Sequence, residues 1–315
     1  MIMTHTIDPS SIKVALLMGG KSGEREISLA SGKSALSALQ EAGFDVTAID
    51  TGSKEDLKKL FEENFDVAFL TLHGKQGEDG TIQGMLEILE IPYTGSGVWS
   101  SATAINKPLA KVFYERNGVP TPPSLTLSTP DEKTMDELIE AVGEHCVVKA
   151  ATEGSALGVY ICQGKADIEQ AIKDVFAIDS TCLVEKYIEG DEFTVAVLGN
   201  DEPRALPIIQ IIPTNEFYDF ESKYAIGGSQ HICPADLDEE TAAYMSELAV
   251  KAHKALNCRG MSRTDVLRDK EGNLWILETN TIPGMTETSL LPDAARVAGY
   301  SFPELCNEII RLALN

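Results

Sequence analysis

Apolar and polar positions along the chain follow two periods, and the switches between them mark out the elements. Residues 12–18 (IKVALLM) form a largely apolar run of strand length. Residues 28–42 follow with apolar positions at Leu29, Ala35, Leu36 and Leu39, a helical spacing that stops at Gly43. Runs at 46–49 and 66–72 predict two further strands, with a helix near residues 54–63 between them. Strand–helix alternation of this kind predicts a parallel sheet covered on both faces, with ligands at the carboxyl ends of its strands. That rim carries residues 19–24 and the pair His73-Gly74.

Pro92 and the small residues 95–97 read as a domain exit, after which Asn106-Lys107-Pro108 opens a helix through Asn117. Past residues 120–123 the pattern predicts strand 124–127, helix 131–142, strands 146–149 and 158–162, helix 167–176 and strand 181–185. Long strands at 193–198 and 205–212 follow, then residues 213–234, which lack periodicity and read as a functional lid. A helix over 239–256 precedes two β-rich runs, 262–268 and 274–278, and a last helix covers 302–314. No internal repeat or low-complexity segment interrupts this order.

The two runs flank Asp269-Lys270-Glu271-Gly272-Asn273, a polar turn, and so predict a hairpin. Closed symmetrically about Glu271 and Gly272, it sets Asp265 opposite Glu278 and Arg263 opposite Asn280, all four on one face. Two carboxylates and an amide crowded among apolar neighbours repel and are costly to desolvate, and a hard cation such as Mg²⁺ removes the difficulty. Arg263 then faces phosphate or a developing anion. The spacing alone leaves a half-exposed hairpin with a wet polar face as the alternative.

Composition narrows the classes. At 315 residues the chain suggests two or three domains, and 43% hydrophobic with 24% charged residues is the balance of a soluble globular protein. No apolar run approaches the ~20 residues of a membrane span, and MIMTHTIDPSS lacks signal-peptide order, so a cytoplasmic protein with a short leader is expected. Six cysteines without a C-x-x-C pair support neither a zinc site nor a disulfide framework. A net charge of −23 argues against nonspecific nucleic-acid binding and requires any anion site to gather the few cations locally. The small-residue loop 152–158 can turn backbone N–H groups onto phosphate, or be a plain flexible connection. Three look-alikes fail: Gly19-Gly20-x-x-Gly23 is not a dinucleotide fingerprint, Gly32-Lys33-Ser34 lacks the first glycine of a P-loop, and Gly95-Ser96-Gly97 lacks the outer glycines of a nucleophile elbow.

Lys107, Lys149, the loop 153–158, the run Val184-Glu185-Lys186-Tyr187-Ile188 and the triplet Asp265/Glu278/Asn280, in this order, resemble the ATP-grasp fold. More narrowly, residues 19–28 (GGKSGEREIS), Leu72-His73-Gly74, 77–84 (GEDGTIQG), 92–97 (PYTGSG), 192–195, 218–224 and 281–289 resemble the D-alanine–D-alanine ligases, over nearly the whole chain. The resemblance implies an α/β architecture. An N-terminal parallel-sheet domain (1–103, the pre-ATP-grasp domain) would precede two α+β ATP-grasp lobes (104–190 and 191–315), the latter carrying lid and metal site. It implies that ATP phosphorylates one D-alanine and that the amine of a second displaces the phosphate, giving a dipeptide for peptidoglycan precursors.

The same resemblance implies roles residue by residue. Asp265, Glu278 and Asn280 would hold Mg²⁺, with Mn²⁺ as a substitute and two ions per site. Lys107, Lys149, Glu153 and Ser155 would meet the ATP phosphates. Glu185 and the backbone of Lys186, Tyr187 and Ile188 would meet the adenine, and Glu192 the ribose. Glu24 would hold the first D-alanine's ammonium, with His73 nearby, and Arg263 and the Gly284 N–H would stabilise the oxyanion. Ser289 and the Leu290 backbone would take the second carboxylate. On the lid, Lys223 would meet transferred phosphate and Tyr224 would bond to Ser155. A homodimer through the N-terminal domain is implied as well. Ala150, Ala156, Ser262, Thr264 and Ile282 depart from the commonest family pattern. Ligases that make D-alanyl-D-lactate or D-alanyl-D-serine share the pattern, although Tyr224 looks like the dipeptide type. A non-catalytic ATP-binding regulator is the rival from another class, disfavoured because Arg263 and all three metal ligands are kept.

Overall fold

The computed structural model describes residues 8–155, 157–213, 229–286 and 288–315. Lys223, Tyr224 and Ala156 lie outside the described residues.

Three sheets organise the described chain. The first has β1 (Lys13–Met18) at its centre, parallel to β2 (Asp45–Asp50) on one side and β3 (Val67–Leu70) on the other. Val14, Ala15, Leu16 and Leu17 are all fully buried, as expected for a parallel strand covered on both faces. Helices α1 (Arg25–Glu41) and α2 (Lys54–Glu62) supply the crossovers. Apolar spacing placed the start of α1 at Ser28, but the helix begins at Arg25, and the Ser28 N–H already donates to the Glu24 carbonyl at 3.0 Å. Its polar first turn is invisible to a hydrophobic period. Glu24 therefore caps α1 at the carboxyl rim of the sheet.

Helices α3 (Thr81–Ile88), α4 (Val98–Ile105) and α5 (Lys107–Arg116) lead to the second sheet. That sheet has the antiparallel order β4 (Ser124–Leu127), β7 (Cys182–Lys186), β5 (His145–Ala150) and β6 (Val159–Gln163). It packs against α6 (Met135–Val142) and α7 (Lys165–Phe176). Helix α6 starts at Met135 rather than at residue 131, because Thr134 and Glu137 close a reciprocal capping box there.

The third sheet contains β8 (Gly190–Leu198), β9 (Arg204–Ala205), β10 (Ile209–Pro213), β11 (Ser229–Ile232), β12 (Met261–Asp269) and β13 (Leu274–Asn280). The single strand expected over 205–212 is split, because Pro207 interrupts it and has no N–H for the ladder. Residues 229–232, expected to belong to a structureless lid, instead form β11 against β10. Helix α8 (Glu239–Ala255) covers the inner face of this sheet. Helices α9 (Leu290–Val297) and α10 (Phe302–Leu314) return to the first sheet, where Leu305, Ile309 and Ile310 share a core with Leu16 and Phe69. The short helices α3, α4 and α9 had no counterpart in the sequence pattern. No described helix is long and apolar enough to cross a membrane.

Candidate active site

The β12–β13 hairpin pairs Arg263 with Asn280 and Asp265 with Glu278, as symmetric closure requires, but it does so through a bulge. Nearer the turn, Val266 faces Ile276 and Leu267 faces Trp275, leaving Leu277 as an extra residue. Continued from the turn without it, the ladder would put Glu278 opposite Thr264, on the inner face. The bulge thus brings both carboxylates to one side. The inner face is closed by hydroxyls: Thr264 Oγ1 lies 3.0 Å from Thr279 Oγ1, which accepts from Tyr114 at 2.8 Å. Ser262 Oγ meets the buried His253 Nδ1 at 2.7 Å. Ser262 and Thr264 therefore satisfy buried polar partners.

On the outer face Asp265 Oδ1 accepts from Thr194 Oγ1 at 2.6 Å and from Arg263 Nε at 3.0 Å. Its Oδ2 accepts from Arg263 Nη2 at 3.0 Å and from Asn280 Nδ2 at 3.4 Å. Glu278 Oε2 is 3.9 Å from Lys107 Nζ. The protein's own cations thus hold the two acids together. Among the described residues no three His, Cys, Asp or Glu side chains gather to bind a metal. The candidate donor set is two carboxylates and an amide oxygen, hard ligands that match Mg²⁺ and leave positions for water and phosphate.

Lys107, first residue of α5, reaches down to the Glu153 carbonyl at 2.6 Å, and its own N–H bonds to Ala151 at 3.0 Å. Ala150 donates its N–H to the Gly158 carbonyl at 2.8 Å, a bond a proline there could not make. Residues 153–155 are joined to the rim of the first sheet twice, by Ser155 Oγ donating to Glu24 Oε1 and by Lys75 pairing with Glu153. Lys149 and Glu185, on adjacent strands β5 and β7, form an ion pair at 2.5 Å. A cavity of about 290 Å³ is bordered by Lys107, Lys149, Glu153, Ser155, Glu185, Lys186, Tyr187, Ile188 and Glu192, with Asp265 and Glu278 at one end.

A second cavity, of about 450 Å³, is bordered by Glu24, His73, Arg263, Asn280, Gly284, Ser289 and Leu290. Every described residue to which the resemblance gave a site role therefore borders one cavity or the other. The two share Lys107, Glu153, Gly154, Ser155 and Glu278 as a common wall. The Glu24 carboxylate is wedged between glycines: a Cβ on Gly74 would come within 2.6 Å of its Oε2, and one on Gly154 within 2.9 Å. Arg25 and Asp50 anchor the segment beneath, with Arg25 Nη2 and Asp50 Oδ2 2.6 Å apart. The hydrogen-bonded Arg25 guanidinium, helped by the Gly52 and Gly20 N–H groups, outweighs burial and holds the Asp50 carboxyl well below the usual range. Burial, then the charge of Arg263, pushes His73 down to about 4, so its ring is neutral at physiological pH. Ser289 caps α9, and its Oγ lies 2.7 Å from Thr286 Oγ1.

Sequence reasoning missed two titratable groups. Glu78 lies in the cavity wall and accepts from the Gly74 N–H at 2.7 Å. Desolvation, then the Glu24 charge, pushes its carboxyl up to about 8, so it holds a proton at neutral pH. Its place inside the GEDG motif was the available signal. Lys111 bonds to Glu185 at 2.5 Å from behind the nucleotide-sized cavity. Its signal was a lysine one helical turn after Lys107 in a chain short of cations.

Comparison with known proteins agrees with this architecture. The family model described as D-ala D-ala ligase C-terminus matches residues 113–311, and that described as D-ala D-ala ligase N-terminus matches residues 51–96. A D-alanine–D-alanine ligase from Syntrophobacter fumaroxidans is 47% identical over 96% of this chain and 98% of its own. The crystal structure of the Bacillus anthracis D-alanine–D-alanine ligase complexed with ATP superposes with a TM-score of 0.84 at 33% identity, covering 96% of this chain and 97% of that one. The VanG D-Ala:D-Ser ligase from Enterococcus faecalis superposes with a TM-score of 0.83 at 30% identity, covering 96% and 99%. With two matching family models, near-complete coverage by relatives and a site assembled from the family's motifs, the chain belongs to the D-alanine–D-alanine ligase family.

Proposed function

We propose that the chain joins two D-alanine molecules at the expense of ATP, releasing ADP and phosphate. The observation that carries this reading is the shared wall of the two cavities, where Lys107, the 153–155 loop and Glu278 stand between a nucleotide-sized space and an acid-lined one. A γ-phosphate in the smaller cavity and a carboxylate in the larger would meet there. Phosphoryl transfer needs positioning and charge neutralisation rather than a protein nucleophile.

Lys107 and Lys149 supply point charges to the phosphates, and the loop at Ser155 supplies backbone N–H groups. Bound at Asp265, Glu278 and Asn280, Mg²⁺ (or Mn²⁺) supplies charge neutralisation at the transferred phosphate. Glu24 holds the ammonium of the first D-alanine, while neutral His73 and protonated Glu78 line its site without adding charge. A carboxylate oxygen of that substrate attacks the γ-phosphorus and the bond to ADP breaks, leaving an acyl phosphate. The second amine, oriented by Ser289 and Leu290 and freed of its extra proton, attacks the acyl carbon. Arg263 and the Gly284 N–H stabilise the tetrahedral oxyanion, and phosphate departs. Lys223 and Tyr224 belong to the same reading as lid residues over the phosphates.

D-alanine labelled with ¹⁸O in its carboxyl group tests the route. The expected result is one labelled oxygen carried into the released phosphate; unlabelled phosphate would exclude the acyl phosphate. Likeness to a D-Ala:D-Ser ligase makes D-serine as second substrate the alternative to test. A cytoplasmic homodimer completes the reading, supported by Ile88 and Trp99, which are 84% and 47% exposed on the N-terminal helices α3 and α4. Sedimentation at micromolar concentration checks it, with a dimer expected.

A further inference from the structure

Lys111 is only 3% exposed, deep behind the second sheet. A buried ammonium is costly unless it is paired and its donors are used. Here all three are used: Lys111 Nζ donates to Thr121 Oγ1 at 2.9 Å, to the Pro122 carbonyl at 2.7 Å and to Glu185 Oε1 at 2.5 Å. Glu185 is 2% exposed, and its other oxygen meets Lys149 Nζ at 2.5 Å. Two ammonium groups thus share one carboxylate, and the trio carries a surplus of one positive charge. Lys149 borders the smaller cavity and Lys111 does not. The surplus is therefore presented to that cavity alone.

We propose that Lys111 is a positioning residue for nucleotide binding: by neutralising Glu185 from behind, it leaves the charge of Lys149 available to a phosphate. The inference rests on the reading that ATP occupies the smaller cavity. With Lys111 absent, Glu185 would neutralise Lys149 in full, and the nucleotide would have to compete with a buried carboxylate at contact distance. A plain structural tie between α5 and β7 would instead cost stability without altering the affinity of folded protein for nucleotide.

The test is equilibrium binding of a non-hydrolysable ATP analogue with Mg²⁺ to the full chain. Lys111→Met is expected to weaken binding at least about tenfold, the scale of a lost charge-assisted contact. The KM for D-alanine at saturating ATP should stay unchanged. Adding Glu185→Gln removes the competing carboxylate, so Lys111→Met with Glu185→Gln should bind about as tightly as Glu185→Gln alone, a reference that takes out any contact Glu185 makes with the nucleotide. Analogue binding by Lys111→Met equal to that of the unaltered protein would overturn the inference, as would a further loss of about tenfold when Lys111→Met is added to Glu185→Gln. If Lys111→Met does not fold, the double variant decides alone against Glu185→Gln, since the one charge of the trio it keeps, Lys149, borders the cavity. Affinity near that of Glu185→Gln supports the proposal, and a loss of about tenfold or more from it refutes it. Should the unaltered protein bind no analogue, the reading of the smaller cavity falls first and this inference with it.

Discussion

Replacing Glu78 by glutamine should stabilise the protein, and by an amount that grows with pH. The Glu78 carboxyl has a pKa of about 8 in the folded chain against an ordinary value near 4.5, through desolvation and the facing charge of Glu24. Between these two pH values the native state binds more protons than the unfolded chain, so its stability falls as pH rises. The penalty is absent below pH 4.5, accumulates at about 1.4 kcal/mol per pH unit and levels off above pH 8. By pH 7 it reaches about 3 kcal/mol, an upper bound because Glu78 is only half-buried and borders the larger cavity. Glutamine keeps an oxygen to accept the Gly74 N–H and carries no charge, so Glu78→Gln escapes the penalty. Urea unfolding of both proteins at several pH values isolates the effect, since every other titrating group is common to them. Their stabilities should differ by less than about 1 kcal/mol at pH 5 and separate steadily toward pH 8. A difference that does not change with pH, or a variant less stable at pH 7.5, would refute the protonated Glu78.

Other outcomes follow from the same geometry. An ammonium bound at Glu24 lowers the cost of ionising Glu78, so D-alanine binding at pH 7 should release a fraction of a proton; calorimetry in buffers of different ionisation enthalpy would read it. Gly74→Ala drives a Cβ to within 2.6 Å of Glu24 Oε2 at a backbone φ of +68°. It should raise the KM for the first amino acid with little change for ATP, and cost about 1–2 kcal/mol of stability. Arg263→Met removes the cation proposed for the oxyanion and should lower kcat about 10²–10³-fold in steady-state assays. Glu278→Ala should abolish Mg-dependent ADP release, and survival of that turnover would remove Glu278 from the metal set.

The parallel sheet and the hairpin were legible because their signals are local. Four consecutive buried residues in β1 announce a covered strand, and a polar turn between β-rich runs announces a hairpin. Even so, the pairing of Asp265 with Glu278 is reached through a bulge that no alternation could disclose, since Trp275, Ile276 and Leu277 are apolar whichever face they take. Glu78 and Lys111 stayed hidden because burial and distant partners, not local pattern, give them their roles; Glu185 is 74 positions from Lys111. The lid expectation failed at β11 for a similar reason, since Ser229-Gln230-His231-Ile232 becomes a strand only against β10.

The most direct measurement is the mass of the product formed from Mg-ATP with D-alanine, D-lactate and D-serine together. The account predicts D-alanyl-D-alanine as the dominant species, with one ADP released per dipeptide. A dominant depsipeptide or D-alanyl-D-serine would contradict the assigned second substrate, and ATP binding without any condensed product would contradict the ligase itself.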